Sequence, residues 1–290
     1  MMKYFITTIY TLLFISYSFG NQINTVNSIS DIVFNPLDKV IVAKILTELN
    51  NDKGIGTGLL VVKVGKLLLE TPYVGSTLEI GDTEKLVINL RQLDCTTFAE
   101  NCLALARTIQ SQQPSFEKFT SELLAIRYRD GRLNEYSSRL HYFSDWIYNN
   151  SQKGYVLSLC EQIVNTPISK KIDFMTQHVS SYPALKNHPE FIKIISLQES
   201  EISNRKTFYI PKEKLAQVES ELQDGDILGI STTMNGMDIS HVVIAIRVEG
   251  RIHIMHASQL ALKVIISTET LEEYLNSAKS RTGIMLARPI

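Results

Sequence analysis

Three features of the sequence predict an α+β fold. Apolar residues recur at helical spacing in segments between Pro36 and Asn204, and strand-like runs closed by tight turns take over after Pro211. Between them Cys95 stands where polar chain turns into a helix. Helices first and strands later place the cysteine helix against an antiparallel sheet, with further helical insertions. The 290 residues are 44% hydrophobic and 20% charged, which suits an ordinary globular chain and excludes a disordered one. A net charge of −1 offers no basic face for nucleic acid and no polybasic membrane patch, so the expected partner is small or uncharged overall.

The elements follow in order. Residues 1–20 pair Lys3 with a short apolar run that ends in small residues at Ser18 and Gly20, the pattern of a signal peptide. A membrane anchor is the alternative, but the run is short and rich in hydroxyls. The expectation is therefore cleavage near Gly20 and export to the periplasm or beyond. The mature chain, residues 21–290, is read as one soluble, monomeric domain with a helical part over about 36–205 and a sheet-rich part over about 211–290. Helices are predicted from Pro36 to Leu49 and from Thr57 to Leu69, then a strand over Leu86–Leu90. The cysteine helix runs from Cys95 to Ile109 with Phe98, Cys102, Leu105 and Ile109 on one face. Pro114-Ser115 opens another helix that ends at Asp130-Gly131. A strand near Tyr155–Leu159 and a helix from Pro189 toward Asn204 are the readable parts of the middle. Turns at Asp224-Gly225-Asp226 and Glu249-Gly250 then delimit an antiparallel meander over 227–230, 238–248, 251–258 and 264–266. A helix over Thr268–Ala278 and a strand over Gly283–Ala287 close the chain.

The candidate chemistry centres on Cys95. At a helix N-terminus the free N–H groups and the dipole favour a thiolate, the nucleophilic form of cysteine. Cys95 and Cys102 lie two helical turns apart, about 10 Å of rise, which no disulfide spans; a bridge from Cys160 to either stays open. A thiolate needs a base, and the base a group that orients its ring. Symmetric pairing about Glu249-Gly250 sets 243 opposite 256 and makes His241 and His256 diagonal neighbours, whereas His253 falls opposite 246 and away from His241. Zinc held by Cys95, His241 and His256 is the rival arrangement, but close-spaced ligand pairs are missing and no cofactor is expected. Tyr73 sits in the turn-rich segment Thr71–Glu79, which leads back toward the cysteine helix. Arg139, His141, Tyr142, Asp145 and Trp146 mix aromatic faces with polar groups, as a sugar site does, although core packing explains the aromatic members equally well.

Tyr73 in a Thr-Pro-Tyr segment, Asp94-Cys95 at a helix start, Asp224-Gly225-Asp226 entering a strand, His241-Val242, and His256-Ala257-Ser258 together resemble the NlpC-type bacterial cell-wall cysteine peptidases. Asp94–Glu100, Arg127–Gly131 and Ser138–Trp146 are more narrowly similar to the N-acetylmuramoyl-L-alanine amidase-like family, over roughly residues 55–290. The resemblance implies a papain-like core and cleavage of the amide between muramic acid and L-alanine in soluble peptidoglycan fragments, anhydro-muropeptides above all. It implies Cys95 as nucleophile, His241 as base, His256 as its partner and Tyr73 as an oxyanion-hole hydroxyl. Asp94, Ser240 and the residues from Arg139 to Trp146 named above are the candidate substrate contacts. Glu70 replaces the usual glycine before Thr-Pro-Tyr, and Thr96-Thr97 replaces Ser-Gly after the cysteine. The second departure fits the amidase-like family and points away from γ-D-glutamyl-diamino-acid endopeptidase specificity. That endopeptidase activity and a catalytically inactive muropeptide-binding protein are the alternatives.

Overall fold

The computed structural model describes residues 32–290, so the expected signal peptide lies outside the described residues. Helices do come first and an antiparallel sheet later. The sheet has seven strands in the order β3 (Val156–Ser158), β9 (Arg281–Pro289), β5 (Ile227–Thr232), β6 (Ile239–Val248), β7 (Arg251–Ser258), β8 (Lys263–Thr270), with β4 (Ile210–Pro211) also on β9. Strands β5 to β8 form the meander expected from the turn residues. Glu249 (φ 48°) and Gly250 (φ 86°) both take the left-handed backbone of a tight hairpin, and the register they set pairs Ile244 with Met255 and Ile246 with His253.

The cysteine helix, Cys95–Gln110, packs across one face of this sheet. Phe98, Cys102, Leu105 and Ile109 are buried, and so is almost every other residue from Thr97 to Ile109. The reason is cover on several sides: the helices Thr57–Leu67 and Phe116–Arg127 flank it, while Val242, Ile244, Met255 and Ala257 lie beneath. The opposite sheet face, built on Val243, Ala245, Ile252 and Ile254, is covered by Leu271 and Leu275. A third core of Tyr136, Tyr142, Ile172, Met175, Leu185, Phe191, Ile195 and Ile202 belongs to the helical insertion, whose main helix is Pro189–Asn204.

Four readings change. The helix expected over Thr268–Ala278 begins only at Leu271, because β8 continues to Thr270, whose hydroxyl caps the helix reciprocally with Glu273. The helix opened by Ser115 stops at Arg127, where Tyr128 turns extended. Strand β2 is Leu86–Ile88 and pairs in parallel with β1 (Ile32–Phe34), a partner that three residues of polar-flanked sequence did not announce. Finally, all three cysteines are free; Cys160 lies on the far side of the sheet, its sulfur accepting the Leu286 N–H at 3.2 Å.

One ion pair holds the cysteine helix to its neighbours. Arg127 donates Nε–H to Glu100 at 2.7 Å and Nη1–H to the Val87 carbonyl at 2.7 Å, with both charged side chains buried. Removing one partner strands the other charge in the core. Arg127→Met is therefore expected to cost about 3–5 kcal/mol in urea unfolding, and adding Glu100→Gln to recover a large part of it. A loss below about 1 kcal/mol for the single variant would contradict this role.

Candidate active site

Cys95 is the first residue of its helix, held there by a capping box: Asp94 Oδ1 accepts the Thr97 N–H at 2.8 Å, and Thr97 Oγ1 accepts the Asp94 N–H at 2.9 Å. Thr97 thus has a structural duty, and Thr96 lies with Cys95 on the cavity wall. The Tyr73 segment is clasped from both sides. Leu93 N–H donates to the Pro72 carbonyl, Val74 N–H to the Leu93 carbonyl, and Tyr73 N–H to the Leu262 carbonyl at 2.9 Å.

His241 is the third residue of β6 and lies beside an irregularity in its pairing with β5. Ile230 pairs with His241 but Ser231 pairs with Ile239, so Ser240 is an extra residue that re-aims the strand end. His241 Nε2 then lies 2.6 Å from His256 Nδ1, with the rings nearly perpendicular. Donation of the Nε2 proton to His256 leaves Nδ1 as the basic nitrogen of His241. His253, by contrast, bonds the Ser267 carbonyl and stands apart.

Cys95 and His241 share a cavity of about 210 Å³ with Thr96, Ser240 and Val242. Much of the remaining wall is aromatic or sulfur-bearing, from Tyr142, Phe143, Trp146, Phe174, Met175, Tyr182 and Met237, and Glu100, His141 and Asp238 also lie on it. Phe143 and Trp146 stack at 5.5 Å, and Phe143 sits against the bare backbone of Gly229, where a Cβ would come within 2.3 Å of the ring. The helix carrying them, Phe143–Gln152, is fixed by Asp238, whose Oδ2 accepts the Ser144 N–H at 2.7 Å. Among the described residues the Trp146 Nε1–H has no partner.

The remaining predicted contacts divide. His141 and Tyr142 reach the cavity wall; His141 Nε2 lies 2.9 Å from the Tyr136 carbonyl, and the Tyr142 hydroxyl donates to Glu199 at 2.7 Å. Arg139 and Asp145 do not line it. Arg139 binds Glu79 and Glu84 and so ties down the loop after Tyr73, while Asp145 joins Arg129 to Arg205. Asp94 is engaged in its cap. Phe174, Met175, Tyr182 and Asp238 were missed, because they come from a segment without periodicity and from a loop whose spacing carries no signal.

Electrostatics correct one expectation. Burial, and then the Asp94 carboxylate, push the Cys95 thiol up to about 11, against the Val242 and Thr96 hydrogen bonds that pull the other way. Desolvation is the largest of these effects, and it favours the thiol over the thiolate. Burial, His256 and Arg281 lower His241 to about 3, and burial and Arg281 lower His256 to about 4. Both rings are neutral at pH 7. Burial, Cys95 and Asp94 raise Tyr73, which keeps its hydroxyl a donor. The arrangement suits proton transfer from a thiol to a neutral imidazole as a carbonyl is attacked.

A family model described as AmiA-like, N-acetylmuramoyl-L-alanine amidase-like, matches residues 63–284. The chain belongs to this family. Solved structures agree with membership in the amidase-like family. An N-acetylmuramoyl-L-alanine amidase from Bacteroides uniformis is 35% identical, with a TM-score of 0.77 over 80% of this chain and 98% of that one. A Bacteroides fragilis protein, described provisionally as a xylanase, is 37% identical with a TM-score of 0.73 over 77% and 98%. A Legionella pneumophila protein shares the fold at 20% identity, with a TM-score of 0.66 over 88% and 95%. No curated protein matches significantly.

Burial of the cavity wall has a measurable consequence at His141. Burial and Arg139 depress this ring to about 3. Below pH of about 6.5 the unfolded chain takes up a proton that the folded ring refuses, so stability falls as pH drops, by up to ~1.4 kcal/mol per unit. His141→Gln, whose amide nitrogen falls near the Nε2 position and keeps an N–H for the Tyr136 carbonyl, should make the stability slope between pH 6 and 4 shallower by about one proton. Urea unfolding across that range checks it; an unchanged slope would count against a neutral buried ring.

Proposed function

We propose that this amidase-like protein is a cysteine amidase that hydrolyses the N-acetylmuramoyl-L-alanine bond of peptidoglycan fragments, anhydro-muropeptides in particular. The observation that carries the reading is the His241–His256 pair at 2.6 Å, whose His241 shares one aromatic-walled cavity with Cys95. The sugar would rest on Phe143, Trp146 and Tyr142, with the lactyl carbonyl at Cys95. The core is then papain-like in the NlpC manner. Export rests on residues 1–20 alone.

In this mechanism His241 Nδ1 accepts the thiol proton as Cys95 Sγ attacks the carbonyl carbon. The oxyanion is held by the Cys95 backbone N–H, which has no partner within the helix, and by the Tyr73 hydroxyl. As the C–N bond breaks, the His241 imidazolium gives its proton to the alanine nitrogen, and His256 accepts the Nε2–H throughout. A water, deprotonated by His241, cleaves the thioester, releasing the muramic carboxylate and restoring the thiol. No external oxidant or metal enters these steps.

Glycoside hydrolysis, the chemistry a xylanase would need, requires two available carboxyl groups flanking the bond. The carboxylates on this wall are committed elsewhere: Glu100 to Arg127, and Asp238 to the N–H groups of Ser144 and Ile239. The γ-D-glutamyl endopeptidase alternative uses the same thiol chemistry and is separated by products.

Mass spectrometry of an anhydro-muropeptide digest provides the test. The expected products are free disaccharide with its lactyl carboxylate and an intact stem peptide beginning with L-alanine, with kcat/KM at least about 10³-fold lower for Cys95→Ala. Sugar that retains an L-Ala-D-Glu stub would refute the amidase assignment, and full activity of Cys95→Ala would refute the nucleophile.

A further inference from the structure

A second, larger cavity of about 750 Å³ adjoins the first. The two share Ser240 and His241 on their walls, but the second contains His256 and not Cys95, whereas the first contains Cys95 and not His256. This division has a chemical meaning once a scissile amide is placed between them. The acyl carbon becomes bonded to sulfur, so the acyl half belongs on the Cys95 side. The departing amine takes its proton from the imidazole, so the amine half belongs on the histidine side.

The wall of the second cavity has the character of a peptide site. Ser258, Gln259, Ser267 and Ser280 supply hydroxyl and amide groups, and the charged members are Arg281 and Glu269. Arg281 is held in place beforehand. Its guanidinium lies 3.7 Å over the Tyr274 ring, and Nη1 donates to the Tyr274 carbonyl and to Ser277 Oγ. Among the described residues it forms no ion pair, and Nε and Nη2 have no hydrogen-bond partner. A fixed, unpaired guanidinium with a free edge is a carboxylate receptor.

We infer that the second cavity receives the leaving peptide and that Arg281 selects it by binding a free carboxylate. The inference rests on the amidase reading above and adds to it the side on which the peptide lies and the group that recognises it. A stem peptide joined through the side-chain carboxyl of its second residue, a glutamate, presents a free main-chain carboxylate a few bonds beyond the amine.

Product binding tests this without turnover. Alanyl-glutamate with its side-chain carboxyl amidated, which leaves only the main-chain carboxylate free, and the corresponding diamide are titrated into the wild-type protein and into Arg281→Gln and Arg281→Lys by calorimetry. The wild type should bind the acid about 10- to 100-fold more tightly than the diamide. Arg281→Gln should reduce that ratio to within about twofold, and Arg281→Lys should keep part of it. In the wild type the Arg281 Nε–H resonance should shift with the acid and not with the diamide, a readout that survives if a variant fails to fold. An equal ratio in wild type and Arg281→Gln, no preference in the wild type, or an unmoved resonance overturns the proposal. Failure of muropeptide hydrolysis with the carboxylate preference intact would instead sink the amidase reading alone.

Discussion

The contact between His241 Nε2 and His256 Nδ1 is possible only while β6 and β7 keep their register and Ser240 stays looped out of the pairing with β5. At 2.6 Å one nitrogen must donate and the other accept, so the two rings cannot both carry a proton there. With His241 as the donor of that bond, Nδ1 is its basic nitrogen. The contact also ties the base to the hairpin at Glu249-Gly250, some eight residues away, since a one-residue slip would turn every side chain of the strand over.

Around this pair the fold trades solvent for order. The cysteine helix is enclosed on nearly all sides, its first turn is satisfied by Asp94 and Thr97, and its inner charge at Glu100 is met by Arg127. The consequence is a thiol that stays protonated at rest and an imidazole that stays neutral. In the proposed reaction, ionisation then accompanies attack on the carbonyl, with Tyr73 and the open backbone N–H of Cys95 as the groups that would receive the developing charge. Arg139 contributes at a distance by fixing the loop that follows Tyr73 through Glu79 and Glu84.

The strand register and the helix start that frame the candidate site were legible in the sequence, for definable reasons. A two-residue turn sets strand register arithmetically, which is why 243 opposite 256 and 246 opposite 253 could be written from the sequence. An Asp-Cys at the onset of helical periodicity locates an N-terminus. What could not be read has physical causes as well. The thiol's surroundings include residues distant in sequence, such as Val242 and His241, so the helix N-terminus was visible and the desolvation was not. Arg139 and Asp145 looked like sugar ligands because composition does not reveal ion-pair partners 55 and 60 residues away. Phe174 opens a four-residue helix and Tyr182 lies between two short helical segments, too short for a periodic signature, and Arg281 opens a strand with nothing local to mark its stacking on Tyr274.

A covalent intermediate on Cys95 is the claim on which the account turns. Wild-type protein mixed with anhydro-muropeptide, quenched in acid within one turnover and digested, should show the muramoyl fragment attached to the peptide that contains Cys95. Complete hydrolysis across the same time course with Cys95 unmodified at every quench, under conditions that preserve a synthetic thioester control, would contradict it.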